Sequence, residues 1–449
     1  MRAHSRLRVA AALSGFAVVV STAMTGMAAT AAVATSGVMS PAIGVSPNYK
    51  VAGHVASNPA DTIFSCEQTV PAQCYGPNQI RAAYGVDKLA KAGLNGAGRT
   101  IVIIDAFQSP TINQDLATFD TLFGLPAPTL NIIAPDGLTP FDQNDANQTG
   151  WAGEITLDVE YAHAIAPAAK IDLVLAKSNN DADILSAQKF VIDRNLGDTL
   201  SQSFGEAEQC EDPAILQSTH TLFQRAADEG MTVFASAGDQ GAAQPTCDNT
   251  SFFKAASTPA SDPEVTGVGG TILDADGITG AYHNEVVWNE PDFQAAGGGG
   301  FSVVFKTPNF QHSHGLNLPM RGVPDISYNA AIIGGVLAVW SSSGQGANLV
   351  FQFGGTSAGS PQWAGLTALT DQLAHHRVGN INDQLYSLAH SNASSKLFHD
   401  ITVGDNTFHG DITVQGFAAK KGWDAASGLG TPQANVLVPA LALTSHGGH

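Results

Sequence analysis

The chain has 449 residues, of which 44% are hydrophobic, so it is long enough for one large α/β domain of roughly 350 residues. Only 13% of the residues are charged, and 39 acidic side chains outnumber 20 basic ones, which gives a formal net charge of −19. So large a shortage of Lys and Arg argues against binding to nucleic acid or to an anionic membrane. The balance suits a protein that works in acid, where carboxylates are partly neutralised.

The N-terminus has the pattern of an export signal. Residues 1–34 place Arg2, Arg6 and Arg8 ahead of an apolar stretch, and small residues follow it. The apolar stretch is too short to span a membrane comfortably. We therefore predict a signal peptide over 1–34 and secretion of the rest of the chain to the extracellular space.

The remainder of the chain divides by composition into three parts. Residues 35–74 are expected to be a linker or N-terminal extension, because 35–60 are small and polar residues without a clear period. A single large domain is predicted over 75–443. The last residues, 444–449, are predicted to be a disordered tail.

Four cysteines remain for an oxidising compartment, and four cysteines allow three pairings. Cys66 with Cys74 would close a short loop, whereas Cys210 with Cys247 would join two loops that each follow a predicted strand. The sequence has no CxxC pattern, which argues against a zinc or redox site. Two structural disulfides are therefore expected.

From about Tyr75 the chain alternates between apolar runs typical of buried strands and segments with helical spacing. Strands are predicted over 100–105, 170–176, 199–203 and 231–236, and helices over 113–123, 151–165, 181–195 and 213–229. Apolar strands that alternate with helices indicate a doubly wound α/β fold, with a mainly parallel sheet and helices on both faces.

A serine lies between an apolar run over 349–353 and a helical segment over 362–373. Residues 354–361 read Gly-Gly-Thr-Ser-Ala-Gly-Ser-Pro, which places Ser357 at the mouth of the helix. The amides and dipole of a first helical turn favour a developing negative charge there. Serine is also an ordinary helix cap. However, Gly-Thr-Ser with proline four residues later is the nucleophile signature of the subtilase-like clan.

A serine hydroxyl needs a base to take its proton. The His-Gly-Thr motif of a subtilisin-type enzyme is absent, and Glu154 and Asp158 stand at the corresponding place. Residues four apart share one helix face, so the two carboxyls can hydrogen-bond and titrate as a coupled pair. A solvated acidic face is the ordinary alternative, but apolar residues flank both positions.

A third carboxylate, Asp239, lies in a tight glycine-bounded turn after the strand predicted over 231–236. A subtilisin-type site has an asparagine here, whose amide donates a hydrogen bond to the oxyanion. An aspartate can donate only when protonated, which requires an acidic medium or a pKa raised by burial. Asp in a glycine turn is otherwise ordinary turn chemistry.

Taken together, these motifs resemble the sedolisins, the serine-carboxyl peptidase family, over about residues 75–440. The matching stretches are Glu154-x-x-x-Asp158, Ser236-Ala-Gly-Asp239, 259–271, 354–361, Gly422-Trp-Asp424 and Gly428-Leu-Gly430. The resemblance implies a subtilisin-like fold and cleavage of peptide bonds at acidic pH. It implies Ser357 as the nucleophile, Glu154 as the general base, Asp158 as the group that orients the base, and Asp239 as the oxyanion donor.

The resemblance also implies one structural Ca²⁺ ion in a loop near the C-terminus. Asp400 and Asp424 would supply carboxylate oxygens, and Ile401, Lys420 and Gly422 would supply carbonyl oxygens, as a hard cation requires. The family pattern usually has glycine where this chain has Lys420. A carbonyl ligand does not require glycine.

Three features depart from the family pattern. About 40 residues separate Ala34 from Tyr75, whereas sedolisins usually carry a long propeptide. Asp105 ends the first predicted strand, where a subtilisin-type enzyme keeps its triad aspartate, so it is a relic of that triad, a further member of the carboxylate network or a turn cap. Phe204 stands where many relatives have tryptophan.

The predicted function is that of a secreted endopeptidase that cleaves polypeptides at acidic pH. It is expected to be a monomer, without a nucleic-acid partner and without a membrane partner once the signal is removed. A tripeptidyl-type exopeptidase and a catalytically silent binding protein are the alternatives. A third alternative is a Ser-His-Asp enzyme that uses Asp105 and His163.

Overall fold

In the computed structural model, the described residues are 43–44, 48–55, 63–346 and 349–444. The predicted signal peptide over 1–34 lies outside them, as do residues 35–42 of the predicted extension and residues 445–449 of the predicted tail.

The larger elements alternate as predicted. Strands of four or more residues are β1 (Asn48–His54), β2 (Thr100–Ala106), β3 (Thr129–Ile133), β4 (Lys170–Ala176), β5 (Thr199–Gln202), β6 (Thr232–Ser236), β7 (Val265–Ala275), β8 (Tyr282–Val287), β9 (Ile326–Asn329), β10 (Gly335–Val339) and β11 (Leu349–Gly354). Helices of six or more residues are α1 (Pro77–Ala83), α2 (Val86–Lys91), α3 (Ile112–Phe123), α4 (Ala146–Ile165), α5 (Asp181–Asp193), α6 (Pro213–Asp228), α7 (Gly359–Ala374), α8 (Asn382–Ala389) and α9 (Ala434–Thr444).

Shorter elements lie in the connections. Short helices and 3₁₀ turns are Pro291–Phe293, Asn309–His312, Ser341–Ser343, Thr356–Ala358 and Ser394–Leu397. Strands of two or three residues are Cys74–Tyr75, Glu206–Ala207, Ala243–Pro245, Phe252–Lys254, Ser257–Thr258, Asn289–Glu290, Ala295–Ala296, Gly300–Phe301, Gly322–Val323, Phe398–His399, Phe408–His409, Thr413–Val414 and Thr431–Pro432.

The central sheet has the strand order β8-β7-β6-β5-β2-β4-β3, and β9 also pairs with β7. All of these pairings are parallel except the one between β7 and β8. The predicted α/β class with a mainly parallel sheet is therefore confirmed. Because parallel strands direct their carboxyl ends to one edge, the loops that follow β2, β5 and β6 gather at that edge.

Helices cover both faces of the sheet, as predicted. Successive strand residues point to opposite faces. In β2, Ile101 and Ile103 belong to the core beneath α4 and α7, whereas Val102 and Ile104 belong to the core beneath α5 and α6. A strand that is apolar on both faces can therefore be read directly from the sequence.

Helix α4 is buried on every side from Trp151 to Ile165. It begins at Ala146, five residues before the predicted start, because the Asp145 side chain accepts hydrogen bonds from the amides of Asn147 and Gln148 and caps the helix. A helix without a solvated face belongs in a core. The interpretation of Glu154 and Asp158 as a solvated acidic face is thereby excluded.

The predicted linker contains a strand that its composition did not indicate. β1 pairs antiparallel with β11, with Asn48 opposite Gly354, in a second sheet of order β1-β11-β10 followed by Cys74–Tyr75. Tyr49 packs edge-on against Trp340, with ring centroids 5.0 Å apart. The edge of β11 therefore orders this segment, because its own sequence lacks a clear strand pattern.

Both expected disulfides form, Cys66 with Cys74 and Cys210 with Cys247. In the part of the chain that the structure describes, no helix is both long and apolar enough to cross a membrane.

Candidate active site

The four residues proposed for catalysis come from three elements. Glu154 and Asp158 lie on α4, Asp239 lies in the turn after β6, and Ser357 lies in the 3₁₀ turn between β11 and α7. Glu154, Asp239 and Ser357 line one cavity of about 60 Å³. Asp158 is fully buried, one helical turn beyond Glu154. The fold thus brings together residues that are far apart in the sequence.

The serine and the glutamate are in direct contact. Ser357 and Glu154 line the same cavity, the Ser357 hydroxyl lies close enough to the Glu154 carboxylate to lower its pKa, and Ser357 retains 9% exposure. Burial raises the pKa of Glu154 well above its ordinary value, the negative charge of Asp158 raises it further, and the bond from Ser357 opposes both effects. Glu154 therefore holds a proton firmly once it has accepted one.

A third carboxylate extends this pair into the protein. Asp105, at the end of β2, is fully buried, and its charge adds to burial in raising the pKa of Asp158 well above the ordinary value. Burial, and then the charge of Glu154, likewise raise the pKa of Asp105. The sequence left the role of Asp105 open, and the structure places it in the carboxylate network.

Asp239 is held by the residue that precedes the serine. Its Oδ1 accepts hydrogen bonds from the Thr356 amide and the Thr356 hydroxyl, both at 2.8 Å. Burial raises the pKa of Asp239 to about 6, against the effect of these two bonds. A proton on this carboxyl is therefore expected on Oδ2.

The contact between these two turns requires glycine at position 355. Gly355 has a φ of 131°, and a Cβ added there would lie 2.7 Å from Asp239 Oδ2. An L side chain would be strained in this conformation and would also displace the carboxylate. The second glycine of the motif is therefore explained by the close approach of Asp239.

Phe204 forms part of the wall of the cavity. It is buried, and its ring lies 5.9 Å from the ring of Trp151 on α4. The neighbouring Ser203 hydroxyl donates a hydrogen bond of 3.3 Å to the backbone oxygen of Ser357. Sequence reasoning gave Ser203 no part in the site, since a single serine after a strand carries no signal.

His163 lies on the same helix as the carboxylate pair but has other partners. Its Nε2 is 3.1 Å from an Asp120 carboxylate oxygen and 2.9 Å from the backbone oxygen of Pro126. The described residues that line the cavity include no histidine. The alternative of a Ser-His-Asp enzyme with His163 as its base is therefore not supported.

The cavity opens into a larger cleft of about 420 Å³. Both are lined by Gly44, Gly205, Gln240 and Gln244, and the Cys210–Cys247 disulfide borders the outer part. An extended peptide that reaches Ser357 can therefore continue along this cleft.

The residues predicted to bind calcium meet in one turn. Both Asp400 carboxylate oxygens accept from the Gly422 amide at 3.1 Å, and Asp424 Oδ2 accepts from the Lys420 amide at 2.8 Å. Among the described residues, no three Asp, Glu, His or Cys side chains group as a metal site. Any cation here would thus depend on the two carboxylates and on backbone carbonyls, such as that of Ile401.

The fold and the site define a class of protein: a subtilisin-like α/β fold in which a serine contacts a glutamate instead of a histidine. No family model matches the chain. Kumamolisin from Bacillus sp. (strain MN-32) is 33% identical over 385 residues, which cover 83% of this chain and 65% of the relative. Tripeptidyl-peptidase 1 from Dictyostelium discoideum is 29% identical over 354 residues, which cover 72% and 52%.

Among solved structures, Pseudomonas sedolisin, a serine-carboxyl proteinase complexed with two molecules of pseudo-iodotyrostatin, superimposes with a TM-score of 0.71 at 28% identity. The match covers 83% of this chain and 99% of that one. The chain belongs to the sedolisin family. It spans less than two thirds of the length of the curated relatives that it matches, 65% for kumamolisin.

Proposed function

We propose that the protein is a secreted serine-carboxyl endopeptidase that hydrolyses peptide bonds in polypeptides at acidic pH. The observation that carries this proposal is the contact of the Ser357 hydroxyl with Glu154 in the cavity that Asp239 also lines. The export-like residues 1–34 and the two disulfides support an extracellular location, because disulfides persist in oxidising compartments.

The first chemical step is attack by Ser357 on the substrate carbonyl. Ser357 Oγ forms the bond to the carbonyl carbon, and its proton passes to the Glu154 carboxylate. The raised pKa of Glu154 lets it keep this proton and then deliver it to the departing amine. Burial also raises the pKa values of Asp158 and Asp105, so these two carboxyls take up and release protons together with Glu154 as one coupled network.

The attack places negative charge on the carbonyl oxygen, and Asp239 would stabilise it. Thr356 occupies Oδ1, so a protonated Asp239 presents the Oδ2 hydroxyl as a hydrogen-bond donor. With a pKa of about 6, Asp239 loses this donor as the pH rises through 6. Glu154 must in turn be ionised to act as a base, so activity is expected to fall at both ends of an acidic range.

An exopeptidase of the tripeptidyl type is the second candidate, because a tripeptidyl-peptidase is among the similar proteins. Such an enzyme must recognise the free amino group of its substrate close to the cleaved bond. The open cleft of about 420 Å³ beyond the cavity favours the endopeptidase. A catalytically silent binding protein would have no need to keep Ser357 against Glu154.

We further propose one structural Ca²⁺ ion bound by the carboxylates of Asp400 and Asp424 and the carbonyls of Ile401, Lys420 and Gly422. The donors are all hard oxygens, as Ca²⁺ prefers. Burial raises the pKa of both carboxyls, which a cation between them would reverse. The ion would supply cross-linking of the turn, and no catalytic step passes through it.

The proposed function is tested by digesting an unstructured protein between pH 3 and pH 7 and mapping the products by mass spectrometry. An endopeptidase releases internal fragments of varied length, whereas a tripeptidyl enzyme releases successive tripeptides from the N-terminus. Absence of turnover across this range, in a preparation of the secreted protein, would show that the chain is not a peptidase.

A further inference from the structure

A short piece of the N-terminal extension already lies along the cleft. Gly44 forms an antiparallel bridge with Gly205, and it lines the cavity that holds Ser357. The Ile43 amide donates to the Asn179 backbone oxygen at 3.0 Å, and the Asn179 side chain donates to the Ile43 oxygen at 2.7 Å. Peptides commonly bind to proteins by adding an extended segment to such an edge. Residues 43–44 thus show where a bound peptide chain runs.

The Ile43 side chain fills a pocket beside the cleft. It is only 6% exposed, and about 10 Å³ of empty volume remains around it. Ile184, Phe204 and Ile215 supply apolar walls, whereas Asp181 supplies a carboxylate. Glu211 and Thr258 also line the pocket. The pocket therefore has apolar walls and two carboxyl groups, those of Asp181 and Glu211.

The carboxyl groups in and beside the pocket make few hydrogen bonds. Asp181 is 2% exposed, and neither of its carboxylate oxygens has a hydrogen-bond partner in another described residue. One oxygen of Glu211 accepts from the Thr258 hydroxyl at 3.2 Å. Glu206, in the adjoining cleft, has one buried oxygen without a partner. Buried carboxyls without partners are destabilising, and isoleucine satisfies none of them.

Among the residues that the structure describes, no cationic side chain lines this group. The described residues that line the pocket and the cleft include neither Lys nor Arg. The charged side chains that raise the pKa values of Asp181, Glu206 and Glu211 are all acidic: Asp181, Glu208, Glu211, Asp212 and Asp262. Asp262 already has His220 at 2.8 Å. A positive group on a bound peptide would supply the counter-charge that the described residues lining the pocket do not give Asp181.

We propose that this pocket is a substrate subsite for a cationic nitrogen, with Asp181 and Glu211 as its ligands and Ile43 as the internal occupant that a substrate displaces. The assignment rests on the proposed peptidase function. A lysine or arginine side chain fits the chemistry, because its apolar stem packs on Phe204 and Ile184 while its charge meets the carboxylates. A peptide α-amino group supplies the same charge without the stem.

Titration of the pocket gives the subsite a distinctive pH dependence. Burial first, and then neighbouring acids, raise the pKa of Asp181 to about 6, of Glu211 to about 7 and of Glu206 to about 8. A bound cation favours the ionised carboxylates and lowers these pKa values. Preference for a cationic substrate should therefore increase as the pH rises from 4 to 6, because fewer protons must be displaced.

The experiment uses two sets of peptides with the full secreted chain. In the first set the N-terminus is acetylated, and lysine is exchanged for norleucine at each position on the N-terminal side of the cleaved bond. In the second set only the N-terminus changes, from acetylated to free. We expect one of the two positive charges, the lysine side chain or the free N-terminus, to raise kcat/KM about tenfold or more at pH 6 and by a smaller factor at pH 4.

Two variants and one control assign the effect. Asp181→Asn should abolish the preference and Glu211→Gln should reduce it, where the preference is the ratio of kcat/KM for the lysine peptide to kcat/KM for the norleucine peptide. Asp183→Asn is the matched control: it removes the same charge two residues along α5, where Asp183 accepts a hydrogen bond from Ser178 and lines neither cavity. The control should keep the preference.

Preference for lysine identifies a side-chain subsite, and preference for the free terminus identifies an α-amino subsite and an exopeptidase. Either result supports the pocket. If the wild type cleaves the norleucine peptides but prefers neither cation, or if Asp181→Asn keeps the preference, the pocket assignment is wrong while the peptidase function stands. If no peptide is cleaved, calorimetric binding of the lysine and norleucine peptides still tests the pocket alone.

Discussion

Two buried carboxylates of this chain have opposite surroundings. Asp424, in the C-terminal turn, accepts hydrogen bonds from the amides of Lys420, Ala426 and Ser427 and from the Ser427 hydroxyl, at 2.8 to 3.0 Å. Asp158, on the buried helix α4, has neither oxygen in a hydrogen bond of normal geometry with another described residue. Both side chains are almost fully removed from solvent.

The difference separates a structural carboxylate from a reactive one. Four donors fix Asp424 in place and oppose the rise in its pKa that burial causes. Around Asp158 only the Ser203 hydroxyl opposes the effect of burial, and Asp105 adds repulsion, so the pKa of Asp158 rises well above the ordinary value. Donors from the backbone therefore anchor the turn, while their scarcity around Glu154 and Asp158 leaves protons that can move.

The largest expected loss of activity follows substitution of Ser357 or Glu154. Ser357→Ala and Glu154→Gln should each lower kcat/KM for an acid-unfolded protein substrate by roughly 10⁴–10⁶-fold, because the first removes the attacking oxygen and the second removes the proton acceptor. Glu160→Gln is the matched control on the same helix: among the described residues, Glu160 accepts a hydrogen bond from the Val339 amide alone, at 3.0 Å, and glutamine can do the same.

Melting temperatures measured for the three variants separate lost chemistry from lost folding. The Glu160→Gln variant should keep most of the activity. If Glu154→Gln were as active as Glu160→Gln, Glu154 would not be the base.

A smaller loss of activity is expected when Asp239, the proposed hydrogen-bond donor to the oxyanion, is replaced. Asp239→Ala should lower kcat by about 10²–10³-fold, since no donor remains. Asp239→Asn keeps an amide donor at every pH, so it should retain measurable activity and decline less steeply above pH 6, where Asp239 ionises. The measurement is kcat/KM between pH 3 and pH 7. Equal losses for the two variants across that range would remove Asp239 as a donor.

Removal of Ca²⁺ from the C-terminal turn should lower the thermal stability of the protein without changing the catalytic step. If Ca²⁺ binds Asp400 and Asp424, a hundredfold excess over its Kd stabilises the fold by about 2.7 kcal/mol, which a chelator removes. Asp424→Ala should lower the melting temperature and abolish the effect of the chelator. Asp411→Ala, an exposed aspartate outside the proposed ligand set, is the control. A wild-type melting temperature indifferent to the chelator contradicts the site.

The smallest effect concerns stability against pH. The folded pKa of Asp158 lies above its unfolded value of about 3.9, so the folded state binds a proton that the unfolded state releases, and stability falls as the pH rises above about 4. Asp158→Asn should therefore melt like the wild type at pH 4 and at a higher temperature at pH 7. Thermal melts at both pH values give the comparison.

The Asp158→Asn variant should lose activity in the same experiment, because an amide cannot take up or release a proton as the carboxyl coupled to Glu154 does. If the variant is no more stable than the wild type at pH 7, the pKa of Asp158 is not raised in the folded protein.

Much of the fold could be predicted because its signals are local. The strands β2 and β4 are continuous apolar runs, and α5 and α6 follow with helical spacing, so their bounds agree with prediction to within two residues. β1 was missed, because only the edge of β11, some 300 residues further along the chain, makes it a strand. Signals that depend on such a partner are invisible in the segment itself.

Some residues of the candidate site could likewise be predicted from local motifs, whereas others were found only in the tertiary structure. Motifs alone nominated Ser357, Glu154, Asp158 and Asp239, since glycine-bounded turns and an i,i+4 carboxylate pair are short-range patterns. The sequence by itself also predicted the mainly parallel sheet and indicated the family, whereas the pairing of the four cysteines came from the structure. Only the tertiary structure placed Asp105 beside Asp158, because a pKa and a contact depend on burial and on neighbours that come from other strands. The same reason applies to Ile43 and the pocket around Asp181, which form only when the chain closes on itself.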